Sequence, residues 1–478
     1  MATTSTSMAN GCKDLRVHVT SRRLMKASDS SIKPHILAVS NLDLLLQNIQ
    51  ASMLCFYRRP ATGDLDAVVA AFESGLPRLL NHFFPFAGRI ASNPTTGVPE
   101  VHCYNQGAEL VVGSANVALA SLVDNHTTIG ASARKIQLPY DADDVPLSVQ
   151  VVAFACGGFT VAWRTHHLLV DGSALGLLVG AWAEVARTGP LAAAARPSHD
   201  RAALLRPRAP PRYSPALDAA FTPVDPARQV NALTAEASFV ERLYYIRASD
   251  IARLREEASG GGEGRAPVTT RVQAVSAYLW KALARVVGPA DQRCRMGWRV
   301  DGRARGVTAP RNYVGNLVTL VVREARVEEV LAMPLRDVAA MVRDAVDAPA
   351  YGEHFQELVD WVEEHRGGRY VETAILGLGS PQVSVTVLSS FFRIMETDFG
   401  FGGAAFVLPT ATAAARLCGG YVQVFSRPGV DDGSWIVNAI VWPRLAAVLE
   451  SDEPCVFRPV TPEYLGLLAT KVPPMCRL

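Results

Sequence analysis

A stretch rich in Pro, Ala and Arg, from about Arg187 to Pro215, breaks the chain and most constrains what it can build. It carries Pro207, Pro210, Pro211 and Pro215, too many for a helix interior or a central strand. On both sides the pattern returns to interleaved strand and helix signals. The stretch therefore reads as a crossing linker, residues 188–215, between one unit at 1–187 and another at 216–478. With 49% hydrophobic residues in 478, each unit has material for its own core, and a disordered or fibrous chain is excluded.

Leu65, Val68, Val69, Phe72, Leu76, Leu79, Leu80 and Phe83 fall at helical spacing and form one apolar stripe. Leu147–Phe154 and Phe159–Arg164 are β-rich runs split by Gly157-Gly158, a hairpin signal. A short strand is expected at Leu15–Val19, and a helix runs from Gly172 through Ala186. In the second unit, strands are expected at Phe239–Ile246, Gly315–Arg323 and Ser434–Val441. Helices are expected at Asp250–Glu257, Thr270–Val286, Leu335–Val346 and Phe355–Glu364, with Pro443 opening a last one. The strands do not follow βαβ order, so the class is α/β of the α+β type with mixed sheets.

A net charge of +2, without long runs of either sign, lacks the basic footprint of a nucleic-acid binder and points to small-molecule partners. The eight cysteines include no CxxC pair, which reads as reduced, buried thiols and a cytoplasmic setting. The longest uncharged run, Thr373–Phe392, holds four Ser, two Gly, one Pro and one Gln, and reads as soluble strands rather than a membrane span.

His167 and Asp171 form H-x-x-x-D, followed by Gly172. About 0.5 such matches arise by chance in a chain like this, so the context matters more than the motif. It lies between a strand and a helix, where a turn can hold an imidazole in a cleft. A ring titrating near 6.5 can take a proton from an alcohol or amine, and an Asp opening a helix can cap it or hold an Arg. From the motif alone, a surface His followed by a plain N-cap Asp is the commoner outcome. His166 and His167 are adjacent and diverge, and no second Cys/His cluster stands at ligand spacing, so no metal is expected. No G-x-S-x-G elbow occurs. Asp398-Phe399-Gly400 comes without the catalytic loop or strand lysine of a kinase, and Gly400-x-Gly402 lacks the third glycine of a dinucleotide site. Gly400, Gly402 and Gly403 more simply mark a bend where backbone approaches closely, with Phe399 and Phe401 as core anchors.

Together, His167–Gly172 and Asp398-Phe399-Gly400-Phe401-Gly402 resemble the HxxxDG and DFGWG signatures of the plant BAHD acyltransferases, in that order and about 230 residues apart. Leu37–Asp43, Phe84–Arg89, Thr270–Trp280, Arg299–Arg303 and Asn312–Asn316 agree with the same family, so the resemblance spans nearly the whole chain. It implies two chloramphenicol-acetyltransferase-like domains with a channel between them, the segment near 380–402 packing with the first. It also implies acyl-CoA as co-substrate, no permanently bound cofactor, and a monomer that needs no membrane insertion. His167 would be the general base on an acceptor hydroxyl or amine, without an acyl-enzyme. Asp171 would be structural, held by Arg303, with Gly172, Asn316, Asp301 and the DFGFG segment in supporting roles.

The resemblance further implies that Arg265, Thr269 and Thr270 meet CoA, and that Ser390-Phe391, in place of the family's Ser-Trp, shapes the acyl or acceptor pocket. Phe401 replaces a second Trp. Between Val371 and Phe392 there is no Arg of the kind that marks shikimate or quinate users, which disfavours such acceptors. The donor suggested is a hydroxycinnamoyl or other aromatic acyl-CoA. A non-catalytic binding relative is the alternative from another class. A condensation-type enzyme with carrier-bound acyl groups shares the HHxxxDG motif but lacks DFGWG.

Overall fold

A computed structural model describes residues 15–47, 50–61, 65–123, 135–136, 144–224, 239–260, 269–288, 292–376, 380–387, 397–410, 419–427, 431–453 and 455–467. Two large mixed sheets organise them. In chain order their strands are β1 Val17–Met25, β2 Gln50–Tyr57, β3 Ala108–Ala115, β4 Leu147–Phe154, β5 Phe159–His166, β6 Val240–Ile246, β7 Arg293–Asp301, β8 Val318–Arg326, β9 Gln382–Val387, β10 Phe406–Thr410, β11 Gly420–Phe425, β12 Trp435–Val441 and β13 Arg458–Pro459. The first sheet runs β1-β3-β4-β5-β2-β10 and the second β8-β7-β9-β11-β12-β6-β13. β10 comes from the far end of the chain yet pairs antiparallel with β2, Leu408 opposite Leu54.

The helices follow from apolar spacing and caps. In α1, Asn41–Leu44, Ser40 and Asp43 close a reciprocal capping box. Along α2, Leu65–Leu80, the residues Val68, Phe72, Leu76, Leu79 and Leu80 are buried at intervals of three and four, as the stripe requires. α3, Gly172–Thr188, is capped by the Asp171 side chain, which accepts from the Ala174 N–H at 2.9 Å. α4, Ala248–Ala258, and α5, Arg271–Val287, serve the second sheet, and α5 is buried on nearly all sides. α6 is Leu335–Asp347, α7 Tyr351–Glu364 and α8 Pro443–Ser451, with Pro443 in the first turn where its missing N–H costs nothing.

α2 and α3 cover the first sheet, and Phe72, Trp163 and Trp182 anchor that core. A second core forms around α5 and a third where the sheets meet, through Leu54, Phe56, Phe406, Phe425 and Ile436. No helix among the described residues is long and apolar enough to cross a membrane.

Three expectations need correction. The strand placed at Leu15–Val19 runs from Val17 to Met25, because β3 offers it a full partner. The strand expected from Gly315 starts at Val318, because carboxylates rather than a neighbouring strand take the N–H groups of Asn316 and Leu317. Cys55, Cys103 and Cys294 are buried free thiols, whereas Cys156 and Cys455 are exposed.

Residues 188–215 are tied down along their length. Arg201 reaches Asp43, Arg208 reaches the buried Asp360 on α7, and Asn312 donates to the Ala194 and Arg196 carbonyls. The segment near 380–402 divides. Gln382–Val387 is a central strand of the second sheet, whereas 397–410 lies against the first.

Candidate active site

His167 follows directly on β5, whose last residue, His166, stands opposite Gln50 of β2. The next three residues, Leu168, Leu169 and Val170, are buried in the first core, and Asp171 then starts α3. The turn is thus fixed by apolar side chains on one side and a helix cap on the other. His167 is left half-buried between them.

Residues far along the chain complete the turn. Asp171 is 1% exposed. One of its oxygens caps α3; the other accepts from Arg303 Nη1 at 2.7 Å and from the Leu317 N–H at 3.0 Å. Arg303 also donates to Asp301 Oδ1 at 3.1 Å and to the Gly315 carbonyl at 3.0 Å, and Ser173 Oγ donates to Asp301 Oδ2 at 2.6 Å. Backbone N–H groups and Arg303 thus surround the buried Asp171 carboxylate with donors. All its contacts are to backbone and Arg303, and they tie the turn to α3 and to Leu317.

Asn316 makes the contact to the ring. Its Nδ2 donates to the His167 carbonyl at 2.7 Å and to Asp43 Oδ1 at 2.8 Å, so its Oδ1 is the atom facing His167 Nδ1 at 3.1 Å. An amide oxygen can only accept, so Nδ1 carries the proton and Nε2 keeps its lone pair. Burial lowers the His167 pKa from the usual 6.5; the Asp171 charge and the Asn316 bond oppose that, and Arg299 adds to it. The ring is neutral at neutral pH. Arg299 itself is held by Glu372, through Nη1 to Oε1 and Nη2 to Oε2.

The DFGFG segment sits in the aromatic core of the first sheet. Phe399 is 3% exposed and lies against Phe72, Trp163 and Trp182, while Phe401 meets Tyr57, Phe72 and Phe159. Asp398 Oδ1 accepts from the N–H groups of Gly400 and Gly402 at 2.8 and 2.9 Å. Those glycines have φ of +103° and +98°, with nothing within 4 Å of an added Cβ. Left-handed backbone, not the close approach expected from the sequence, accounts for them.

Thr269 is buried and donates its hydroxyl to the Ala258 carbonyl at 2.9 Å, and Thr270 caps α5 through the Gln273 N–H at 3.2 Å. Arg265, Ser390 and Phe391 lie outside the described residues. The structure therefore gathers His167, Asp171, Gly172, Arg303 and Asn316 in one place and puts Asp398–Gly402 in another. Arg201 joins the first group without having been singled out, and Asp43 joins it as the last residue of the Leu37–Asp43 block, to which the sequence assigns no role. Asp43 reads locally as a helix cap, and Arg201 sits in a stretch that looks like a linker.

The profile of the transferase family matches residues 15–449. The chain belongs to the BAHD acyltransferases. An omega-hydroxypalmitate O-feruloyl transferase of Arabidopsis thaliana is 27% identical over 405 residues, covering 81% of this chain and 83% of its own. A putrescine hydroxycinnamoyltransferase of Oryza sativa subsp. japonica is 28% identical over 422 residues, covering 83% and 91%. The crystal structure of vinorine synthase superposes with a TM-score of 0.68 at 20% identity, over 93% of this chain and 99% of that one. The mixed-sheet α/β fold is thus the BAHD fold, and the chain's BAHD relatives transfer acyl groups.

Proposed function

We propose that this protein transfers an aromatic acyl group, of the hydroxycinnamoyl kind, from acyl-CoA to the hydroxyl or amine of a small acceptor. The observation that carries the reading is His167 Nδ1 standing 3.1 Å from Asn316 Oδ1, an arrangement that puts the proton on Nδ1 and leaves Nε2 to accept. In the reaction, Nε2 takes the proton of the acceptor O–H or N–H while the acceptor lone pair bonds to the thioester carbonyl carbon. The tetrahedral adduct collapses with cleavage of the C–S bond, and the leaving thiolate recovers the proton from the imidazolium. CoA enters and leaves as a substrate, and a monomer working in the cytoplasm suffices.

The aromatic donor rests on relatives named for feruloyl and hydroxycinnamoyl transfer. They are named with acceptors as different as a hydroxy fatty acid and a diamine, so both O- and N-acylation belong to the proposal. The test is a grid of p-coumaroyl-, feruloyl-, acetyl- and malonyl-CoA against fatty alcohols, phenolic alcohols and diamines, followed by release of free thiol. Turnover with an aromatic donor, lost in His167→Ala, is expected. Turnover only with the small aliphatic donors removes the aromatic assignment; none with any pair removes acyl transfer.

A further inference from the structure

We infer that Asp43, backed by Arg201, is a positioning residue that sets which nitrogen of His167 carries the proton. Asp43 is 0% exposed, and donors surround its carboxylate. Oδ1 accepts from the Asn316 N–H at 2.9 Å and from Asn316 Nδ2 at 2.8 Å; Oδ2 accepts from Arg201 Nε and from the Ser40 N–H, both at 2.8 Å. Four donors thus converge on its two oxygens, and each oxygen acts as an acceptor twice.

An asparagine alone could not fix the ring. Turned by 180°, its side-chain amide would present N–H to His167 Nδ1, and the ring would then hold its proton at Nε2, where it could not act as base. Asp43 prevents that turn. A flipped Asn316 would put its oxygen against the Asp43 carboxylate and the His167 carbonyl, trading two hydrogen bonds for two contacts between acceptors. Orientation is thus passed along a line of bonds, from carboxylate to amide to imidazole.

Arg201 supplies the counter-charge. Its side chain is 5% exposed, and besides Asp43 it reaches the Leu169 carbonyl at 3.3 Å, inside the turn that carries His167. Among the described residues, the other charged groups acting on the ring are Asp171 and Arg299, and the titratable neighbours of the Arg201–Asp43 pair are Tyr313, Cys103 and His199. None of these touches the Asn316 amide, so the tautomer depends on Asp43 in a way that the charge of the ring does not.

This inference rests on the proposed role of His167 but can be judged without substrate. The full chain, labelled with ¹⁵N-histidine, is observed by NMR, and the His167 resonances are assigned by their loss in His167→Ala. In the wild type, Nδ1 is expected to be protonated and Nε2 bare. In Asp43→Asn, Nε2-protonated ring is expected to become the major form, with kcat down at least 30-fold and KM for acyl-CoA within about twofold. The milder Arg201→Gln keeps an N–H toward Asp43 and removes only the charge; a minor Nε2–H population and about a fivefold loss in kcat are expected. A wild-type ring protonated at Nε2 overturns the inference, as does a folded Asp43→Asn or Arg201→Gln with unchanged ring and kcat. If no donor and acceptor turn over at all, the acyltransfer reading fails while the spectrum still decides this one.

Discussion

The two signatures of this chain are held by opposite physics. The His167–Gly172 turn belongs to the first half of the chain but is gripped by polar groups of the second: Arg303, Asn316 and the Leu317 N–H. The Asp398–Gly402 segment belongs to the second half but is gripped by apolar rings of the first: Phe72, Trp163 and Trp182. A directional polar clamp sets an angle, which a base requires. An apolar clamp sets a position and depth, which suffices for a segment that ties the halves together. Each half therefore depends on the other for a motif of its own.

The strongest way to sharpen this contrast is to remove the ring and leave its clamp. His167→Ala is expected to lower kcat by about 10²–10⁴-fold, the usual worth of a general base, while the thermal midpoint stays near the wild type. Asp171→Ala strikes the clamp itself: it removes the α3 cap and the acceptor of the Leu317 N–H, and leaves Arg303 with Asp301 as its remaining carboxylate. A loss of about 3–5 kcal/mol is expected in urea unfolding, with activity falling alongside. A stable but inactive Asp171→Ala would give Asp171 a part in the chemistry and break the distinction. Phe399→Ala opens a hole among Phe72, Trp163 and Trp182 and should also cost about 3–5 kcal/mol. Because the clamps cross between halves, both variants should shift a single transition; two separated transitions would show that the halves fold alone. Gly402→Ala, at φ +98°, should cost about 1–2 kcal/mol and leave kcat nearly unchanged.

The pH effects are the smallest and their signs are fixed. Burial favours the neutral ring of His167, so the acid limb of the kcat profile should lie below 6.5 rather than above it. His199, pushed down to about 4 chiefly by burial, binds its proton more readily when the chain is unfolded. Its contribution to stability is whole above 6.5, declines as the pH falls, and levels off below about 4. Urea midpoints for wild type and His199→Asn should converge as the pH is lowered through that window.

Local rules made much of this legible. Three-and-four spacing placed α2, the Gly-Gly step placed the β4–β5 hairpin, and Pro443 placed the start of α8. These signals are carried by neighbours in sequence, and a helix or hairpin is made of such neighbours. The two signatures were likewise visible because each is a contiguous run.

What sequence alone determined was therefore the elements with a strong local pattern, and which turn presents an imidazole; β2, β3, β7, β10 and β11 carried no such mark. Only tertiary structure decided what surrounds that imidazole. Asp43 meets Arg201 across 158 positions and Asn316 across 273, and β10 crosses back to a strand made some 350 residues earlier. A buried polar atom takes whichever partner the packing brings within about 3 Å, and a single side chain drawn from a distant loop has no periodicity by which to announce itself.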